Sequence, residues 1–216
     1  MADRIELIPN QTILFTGDSI TDAGRRQAGA DRLGSGYVFI AANMLIAENP
    51  ELNLRVVNTG ISGDTTRSLK WRWKRDCLQY RPDIVSLMIG INDIWYLHDD
   101  AVPEIKGVGV DEYEWNCRYM LDAVQTQCGS QIVLMEPFMF CDDADNAMFR
   151  DLAKYIAVVR RLAVEFGAVL VKLQADIDRQ IGRIPSDKWS DDMVHPYAWA
   201  HAWIARHWLD ACRGGS

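Results

Sequence analysis

Short continuous apolar runs alternate along the chain with longer segments of helical period. Thr12–Thr16 (TILFT) is rich in β-formers and stopped by Gly17, which predicts a buried strand. Arg55–Asn58, Ile84–Ile89, Ile132–Met135 and Val169–Val171 predict four more, the run at Ile84 ending in Gly90. Between them, Tyr37–Ala47, Thr65–Leu78, Asp111–Thr126 and Asn146–Phe166 are long enough for helices. In the last of these, Met148, Leu152, Tyr155, Ile156, Val159, Leu162 and Phe166 recur three or four residues apart and make one apolar stripe. A closing helix is predicted from Pro196 to about Ala211, with proline at a permissible first-turn position.

Strands without polar alternation, interleaved with helices, imply a parallel sheet covered on both faces. Right-handed crossovers then give a three-layer α/β/α sandwich, doubly wound. No linker, repeat or low-complexity tract divides the chain, so residues 1–216 are expected to form one domain with its core at about 10–212. Ligands of such folds sit beyond the carboxyl ends of the strands, which directs attention to the strand-end loops.

Composition narrows the classes. Of 216 residues, 49% are hydrophobic and 25% charged, which excludes a disordered chain. Thirty acidic against 23 basic residues leave a net charge of −7, which argues against a nucleic-acid partner. Met1–Gln11 lacks the charged-then-apolar order of a signal peptide, and no run approaches the roughly 18 apolar residues of a membrane span. The five cysteines are an odd number without a C-x-x-C pair, which points to reduced thiols. A cytoplasmic protein with neither membrane nor nucleic-acid partner is the expectation. Eight tryptophans are the unusual feature.

Four loop segments carry candidate chemistry: Gly17-Asp18-Ser19-Ile20-Thr21-Asp22, Asn58 to Asp64, Gly90-Ile91-Asn92-Asp93, and Asp192-Met193-Val194-His195-Pro196. A serine hydroxyl becomes a nucleophile when an imidazole takes its proton, and a carboxylate fixes the tautomer of that imidazole. Asp192 lies three residues before His195, close enough for a tight turn to bring its carboxylate onto Nδ1 and leave Nε2 for Ser19. Asp191, at spacing four, is the rival orienter. The oxyanion formed by acyl transfer needs preorganised donors. The backbone amides of Ser19 and Gly63 and the side-chain amide of Asn92 are the candidates, glycine at 63 letting backbone approach a ligand without a Cβ.

These four blocks resemble those of the SGNH (GDSL) family of serine esterases and lipases. Gly17-Asp18-Ser19-Ile20 is similar to its nucleophile block, with Ile20 in place of the commoner leucine. Gly63 matches the second-block glycine, Gly90-Ile91-Asn92-Asp93 the G-x-N-D block, and Asp192-x-x-His195 the closing D-x-x-H. The resemblance spans residues 17 to 195. It implies a flavodoxin-like five-stranded sheet of order 2-1-3-4-5 with no metal and no cofactor. It also implies Ser19 as nucleophile, His195 as base, Asp192 as orienting carboxylate, and an oxyanion hole of Ser19, Gly63 and Asn92. Phe15 to Asp22, Gly34 to Tyr37, Arg55 to Gly63, Met88 to Trp95 and Val194 to Pro196 resemble in particular bacterial carbohydrate acetyl esterases of the acetylxylan type. That likeness implies removal of O-acetyl groups from sugars such as xylo-oligosaccharides. A lysophospholipase, thioesterase or arylesterase on the same scaffold is the alternative activity, and a sugar-binding module without turnover the alternative class.

Bland readings compete for several residues. Ser19 alone suits a helix N-cap, and Asn92 a turn. Asp18 and Asp93 are expected to support their loops. His98 is expected to be solvated, and His201 and His207, six apart, lack metal-ligand spacing. In the charged run Arg67–Arg75, Leu69, Trp73 and Cys77 share a buried stripe, while Arg67, Lys70 and Lys74 share a solvated one. Trp199, Trp203 and Trp208 are assigned to core packing or a subunit contact of a homo-oligomer. Trp95 and Trp189, each three residues from a site residue, are the candidates for substrate contact. His98 to Val110 is long for a connector and is a candidate rim or lid.

Overall fold

Burial on both faces is what makes the strands continuous apolar runs. Every residue of β3 (Ile84–Met88) is buried, and so is all of β1 (Thr12–Gly17) after Thr12. A computed structural model describes residues 2–27, 29, 31–99 and 106–214. Together with β2 (Arg55–Asn58), β4 (Gln131–Met135) and β5 (Val169–Val171), these strands form one sheet of order β2-β1-β3-β4-β5, parallel at every pairing. The register sets Phe15 against Asn58 on one side and Ser86 on the other, so the carboxyl ends of β1, β2 and β3 lie side by side.

The helices are α1 (Ser19–Asp22), α2 (Tyr37–Glu48), α3 (Thr66–Asp76), α4 (Ile91–His98), α5 (Val110–Cys128), α6 (Ala147–Glu165), α7 (Gln174–Ile181) and α8 (Ala198–Cys212). Packing pairs α2 with α8, while α5 packs against both α3 and α6. Phe15 meets Tyr37 of α2 and Trp208 of α8, and the Trp208 indole N–H donates to Ser86 Oγ at 2.9 Å. Helix starts follow local chemistry. Thr65 and Ser68 close a capping box on α3, and Asn146 Oδ1 accepts from the Phe149 amide to start α6. The buried Glu136 carboxylate accepts from the amides of Leu173 and Gln174 where α7 begins, and pairs with Arg160 at 2.7 Å.

Five strands and five of the helices match the pattern of the sequence to within a few residues. Helix α8 begins at Ala198, two residues beyond Pro196. Tyr197 stays extended because its amide donates to the Trp189 carbonyl at 2.8 Å. Trp208 is buried and Trp203 half-buried, so the aromatic character of α8 is mostly internal. Within the candidate lid, residues 100–105 lie outside the described residues. Its last part is anchored: Val108 donates to the Asp93 carbonyl at 3.0 Å, and its own carbonyl accepts from the Tyr155 hydroxyl at 2.6 Å. Among the described residues no helix is long and apolar enough to cross a membrane.

Candidate active site

The end of β1 is where the Ser19 loop begins. Asp18 is the N-cap, its carboxylate accepting the Ile20 amide at 3.0 Å, and Ser19 is the first residue of the single turn α1. Gly17 makes the approach possible: a Cβ there would stand 2.0 Å from the Met88 carbonyl oxygen of neighbouring β3. The loop before α8 supplies the other side. Ser19 Oγ lies 2.8 Å from His195 Nε2, and His195 Nδ1 lies 2.6 Å from Asp192 Oδ2. Nδ1–H donated to the carboxylate leaves the Nε2 lone pair for the serine hydroxyl.

Asp192 is itself fixed by a tight turn. Its Oδ1 accepts from the amides of His195 (2.8 Å) and Val194 (3.0 Å) and from the Ser190 hydroxyl (2.9 Å). Burial alone would raise its pKa, but the donors from His195, Val194 and Ser190 outweigh it and hold the carboxyl down at about 2. The rival Asp191 instead accepts the Tyr197 hydroxyl. Asp18, buried next to Ser19, is pushed up to about 7 by burial, against the pull of the Ile20 amide and of His195.

The oxyanion-hole candidates come from three elements. Gly63 follows β2 with φ of +84°. A Cβ there would touch only the Tyr96 hydroxyl, at 3.4 Å. Asn92 lies in the first turn of α4, buried, and one of its amide hydrogens is donated to the Asp64 carbonyl at 3.0 Å. Asp93 supports this turn. Both of its carboxylate oxygens face the Thr66 amide (3.0 and 3.1 Å), and it accepts the Thr66 hydroxyl. Burial pushes the Asp93 carboxyl up to about 7 against those hydrogen bonds.

Other expectations need correction. Trp189 is only 1% exposed, stacked on Phe140 (5.2 Å) and packed against Trp199 and Trp203. It buttresses the histidine loop and presents almost no face to a ligand. Trp95 is half-buried and donates its indole N–H to Asp99 at 2.9 Å. His98 is exposed, as expected, and its Nε2 also lies 2.9 Å from Asp151 of α6. His201 Nδ1 accepts the Tyr37 amide at the start of α2. Within Arg67–Arg75 the buried stripe of Leu69, Trp73 and Cys77 is as expected, but Arg72 is buried beside it. Lys70 rests on the Trp115 ring, 4.0 Å from its centroid. Tyr96, one turn beyond Asn92 on the same face of α4, was not singled out by the sequence, although its i+4 spacing carried the signal.

Fold and loops together define a lipase/acylhydrolase scaffold, and residues 15–203 match the GDSL-like Lipase/Acylhydrolase family. The chain belongs to that family and is a carboxylic ester hydrolase. It is 38% identical over 203 residues to an acetylxylan esterase of Geobacillus stearothermophilus, with 92% of each chain covered. The crystal structure of Axe2, an acetylxylan esterase from that organism, superposes with a TM-score of 0.90 at 36% identity, covering 96% of both chains. LAE5, an α/β hydrolase enzyme from the metagenome of Lake Arreo, Spain, superposes with a TM-score of 0.89 at 32% identity, covering 97% of this chain and 98% of that one. Catalytic mutants of Axe2 with similar structures replace a serine, an aspartate and a histidine by alanine, the last two three residues apart.

Proposed function

We propose that the chain is a serine acetyl esterase that removes O-acetyl groups from carbohydrates of the xylo-oligosaccharide class through Ser19, His195 and Asp192. The observation that carries the reading is the unbroken relay from Ser19 Oγ through His195 to Asp192, at 2.8 and 2.6 Å. Serine and imidazole are within general-base distance without rearrangement. The spacing of Asp192 and His195 equals that of the aspartate and histidine replaced in the Axe2 catalytic mutants, which supports the assignment.

In this mechanism His195 Nε2 takes the Ser19 proton as Oγ bonds to the ester carbonyl carbon. The negative charge moves to the carbonyl oxygen, which the Ser19 and Gly63 amides and the free amide hydrogen of Asn92 receive. Collapse breaks the bond to the sugar oxygen, and His195 returns the proton to it. The acetyl group stays on Ser19. Water then attacks with His195 again as base, releasing acetate and regenerating the serine. The His195 side chain is half exposed, which gives that water a route.

A crystal structure in the Axe2 series is described as that of an acetyl-xylooligosaccharide esterase, which supports the sugar class. We assign Trp95, half-buried one turn beyond Asn92, to the sugar side of the site. All five thiols are unpaired, which fits a reducing compartment, and we place the reaction in the cytoplasm. Acetate release from acetylated xylo-oligosaccharides tests the reading. Wild type is expected to release it and Ser19→Ala is not; release by both, or by neither, rejects it.

A further inference from the structure

A guanidinium deep in the scaffold bonds to two of the loops that carry oxyanion-hole candidates and reaches the third through Asp64. Arg72 lies on α3 with only 6% of its side chain exposed. Its Nε donates to Asp64 Oδ2 at 2.5 Å, and its Nη1 to the Thr59 carbonyl at 2.7 Å and to Asp76 at 3.2 Å. Its Nη2 donates to the Gly17 carbonyl at 3.2 Å. Gly17 is two residues before Ser19 and Asp64 directly follows Gly63. The Asp64 carbonyl in turn accepts the Asn92 amide at 3.0 Å. One planar fork therefore ties the chain beside Ser19 and beside Gly63, and Asn92 is joined to it through Asp64.

Structure alone does not require this arrangement. A buried ion pair with Asp64 and Asp76 would satisfy the charge, and such pairs are seldom the economical way to stabilise a core. Two of the four bonds go instead to backbone carbonyls at the ends of β1 and β2. There the fixed geometry of guanidinium holds two strand-end loops at a set separation, which a single ammonium cannot do. Oxyanion donors act only when they point at one place before the charge develops, so an error of about 1 Å in loop spacing costs as much as about 100-fold in rate.

We propose that Arg72 is a positioning residue of the esterase reaction, setting the distance between the nucleophile turn and the Gly63–Asp64 loop so that the three donors converge. The proposal rests on the catalytic reading given above, and its test separates the two. Removing the side chain outright would leave Asp64 buried and unpaired, so the informative variant is Arg72→Lys, which keeps the charge. Asp64→Asn, which keeps the shape and one acceptor oxygen, is the second. Each is compared with wild type by thermal melting, by kcat and KM on p-nitrophenyl acetate, and by inhibition with phenylboronic acid, whose serine adduct is tetrahedral.

Arg72→Lys is expected to melt within about 5 °C of wild type while kcat falls about 10- to 100-fold. KM should change less than about twofold, and boronate inhibition should weaken in step with kcat. Asp64→Asn should show the same pattern, reduced to about a threefold to tenfold loss. Folded variants that turn over and bind boronate like wild type overturn the proposal. So does an Arg72→Lys that loses only melting temperature. An active Ser19→Ala would instead reject the catalytic reading itself, whatever Arg72 does.

Discussion

Asp192 holds His195 at two points at once: one carboxylate oxygen accepts the His195 backbone amide at 2.8 Å while the other meets Nδ1 at 2.6 Å. A single carboxylate thus sets both the turn of the loop and the tautomer of the ring. Replacing Asp192 by Asn leaves an amide able to present the wrong group to Nδ1. In steady-state assays kcat should fall about a thousand- to ten-thousand-fold with KM little changed. Asp191→Asn should stay within about threefold of wild type, because Asp191 faces Tyr197 instead. Equal losses at the two positions would count against this assignment.

Two glycines near the site should fail in different ways. At Gly17 an added Cβ meets the Met88 carbonyl at 2.0 Å, so Gly17→Ala must separate β1 from β3. Urea unfolding should report a loss of about 3 kcal/mol or more. At Gly63 the space is open apart from the Tyr96 hydroxyl, but φ is +84°. Gly63→Ala is expected to cost about 1 kcal/mol of stability yet lower kcat about 10- to 100-fold.

His201 gives a stability signature in acid. Burial, with the nearby charge of His195, lowers its pKa to about 4. In the unfolded chain it protonates near the reference value of about 6.5. Between those values the unfolded chain binds more protons, so stability is complete above about pH 6.5 and declines as pH falls toward 4, by up to about 3 kcal/mol. Asn at this position could still accept the Tyr37 amide. Urea titrations at pH 7 and 4.5 should therefore show His201→Asn losing less than wild type on acidification. Asp18 and Asp93, raised to about 7, act with the opposite sign: their contribution is full below pH 3.8 and is lost as pH rises toward 7. Identical acid losses in wild type and His201→Asn would refute the assignment.

Much of this was legible beforehand. The five strands were readable because parallel strands buried on both faces are plain apolar runs, and the Ser19, Asp192 and His195 positions because their spacing matched a chemical need. Helix α4 was not, since Gly90-Ile91-Asn92-Asp93 reads as a turn and its continuation depends on Asp93 docking under Thr66. Arg72 escaped notice because two of its partners are backbone carbonyls at distant strand ends, which leave no mark on a helix already dense in charge. His98 and Asp151 meet across 53 residues. Trp189 lies three residues before Asp192 in the sequence, but the stack of Phe140, Trp199 and Trp203 that encloses it is a tertiary fact.

Acyl length separates the esterase reading from the lysophospholipase and thioesterase alternatives. Across p-nitrophenyl esters from acetyl to octanoyl, kcat/KM is expected to fall at least about tenfold, as for an enzyme that selects the acetyl group. Comparable efficiency on the octanoyl ester would favour the alternatives.

The central claim is that Ser19 is the nucleophile and that His195 activates it. Fluorophosphonate modification followed by peptide mass spectrometry tests this directly. The account predicts a single adduct on Ser19, loss of esterase activity in proportion to labelling, and at least about a hundredfold slower labelling in His195→Ala. Full activity in stoichiometrically labelled protein, an adduct on another residue, or unchanged labelling without His195 would contradict it.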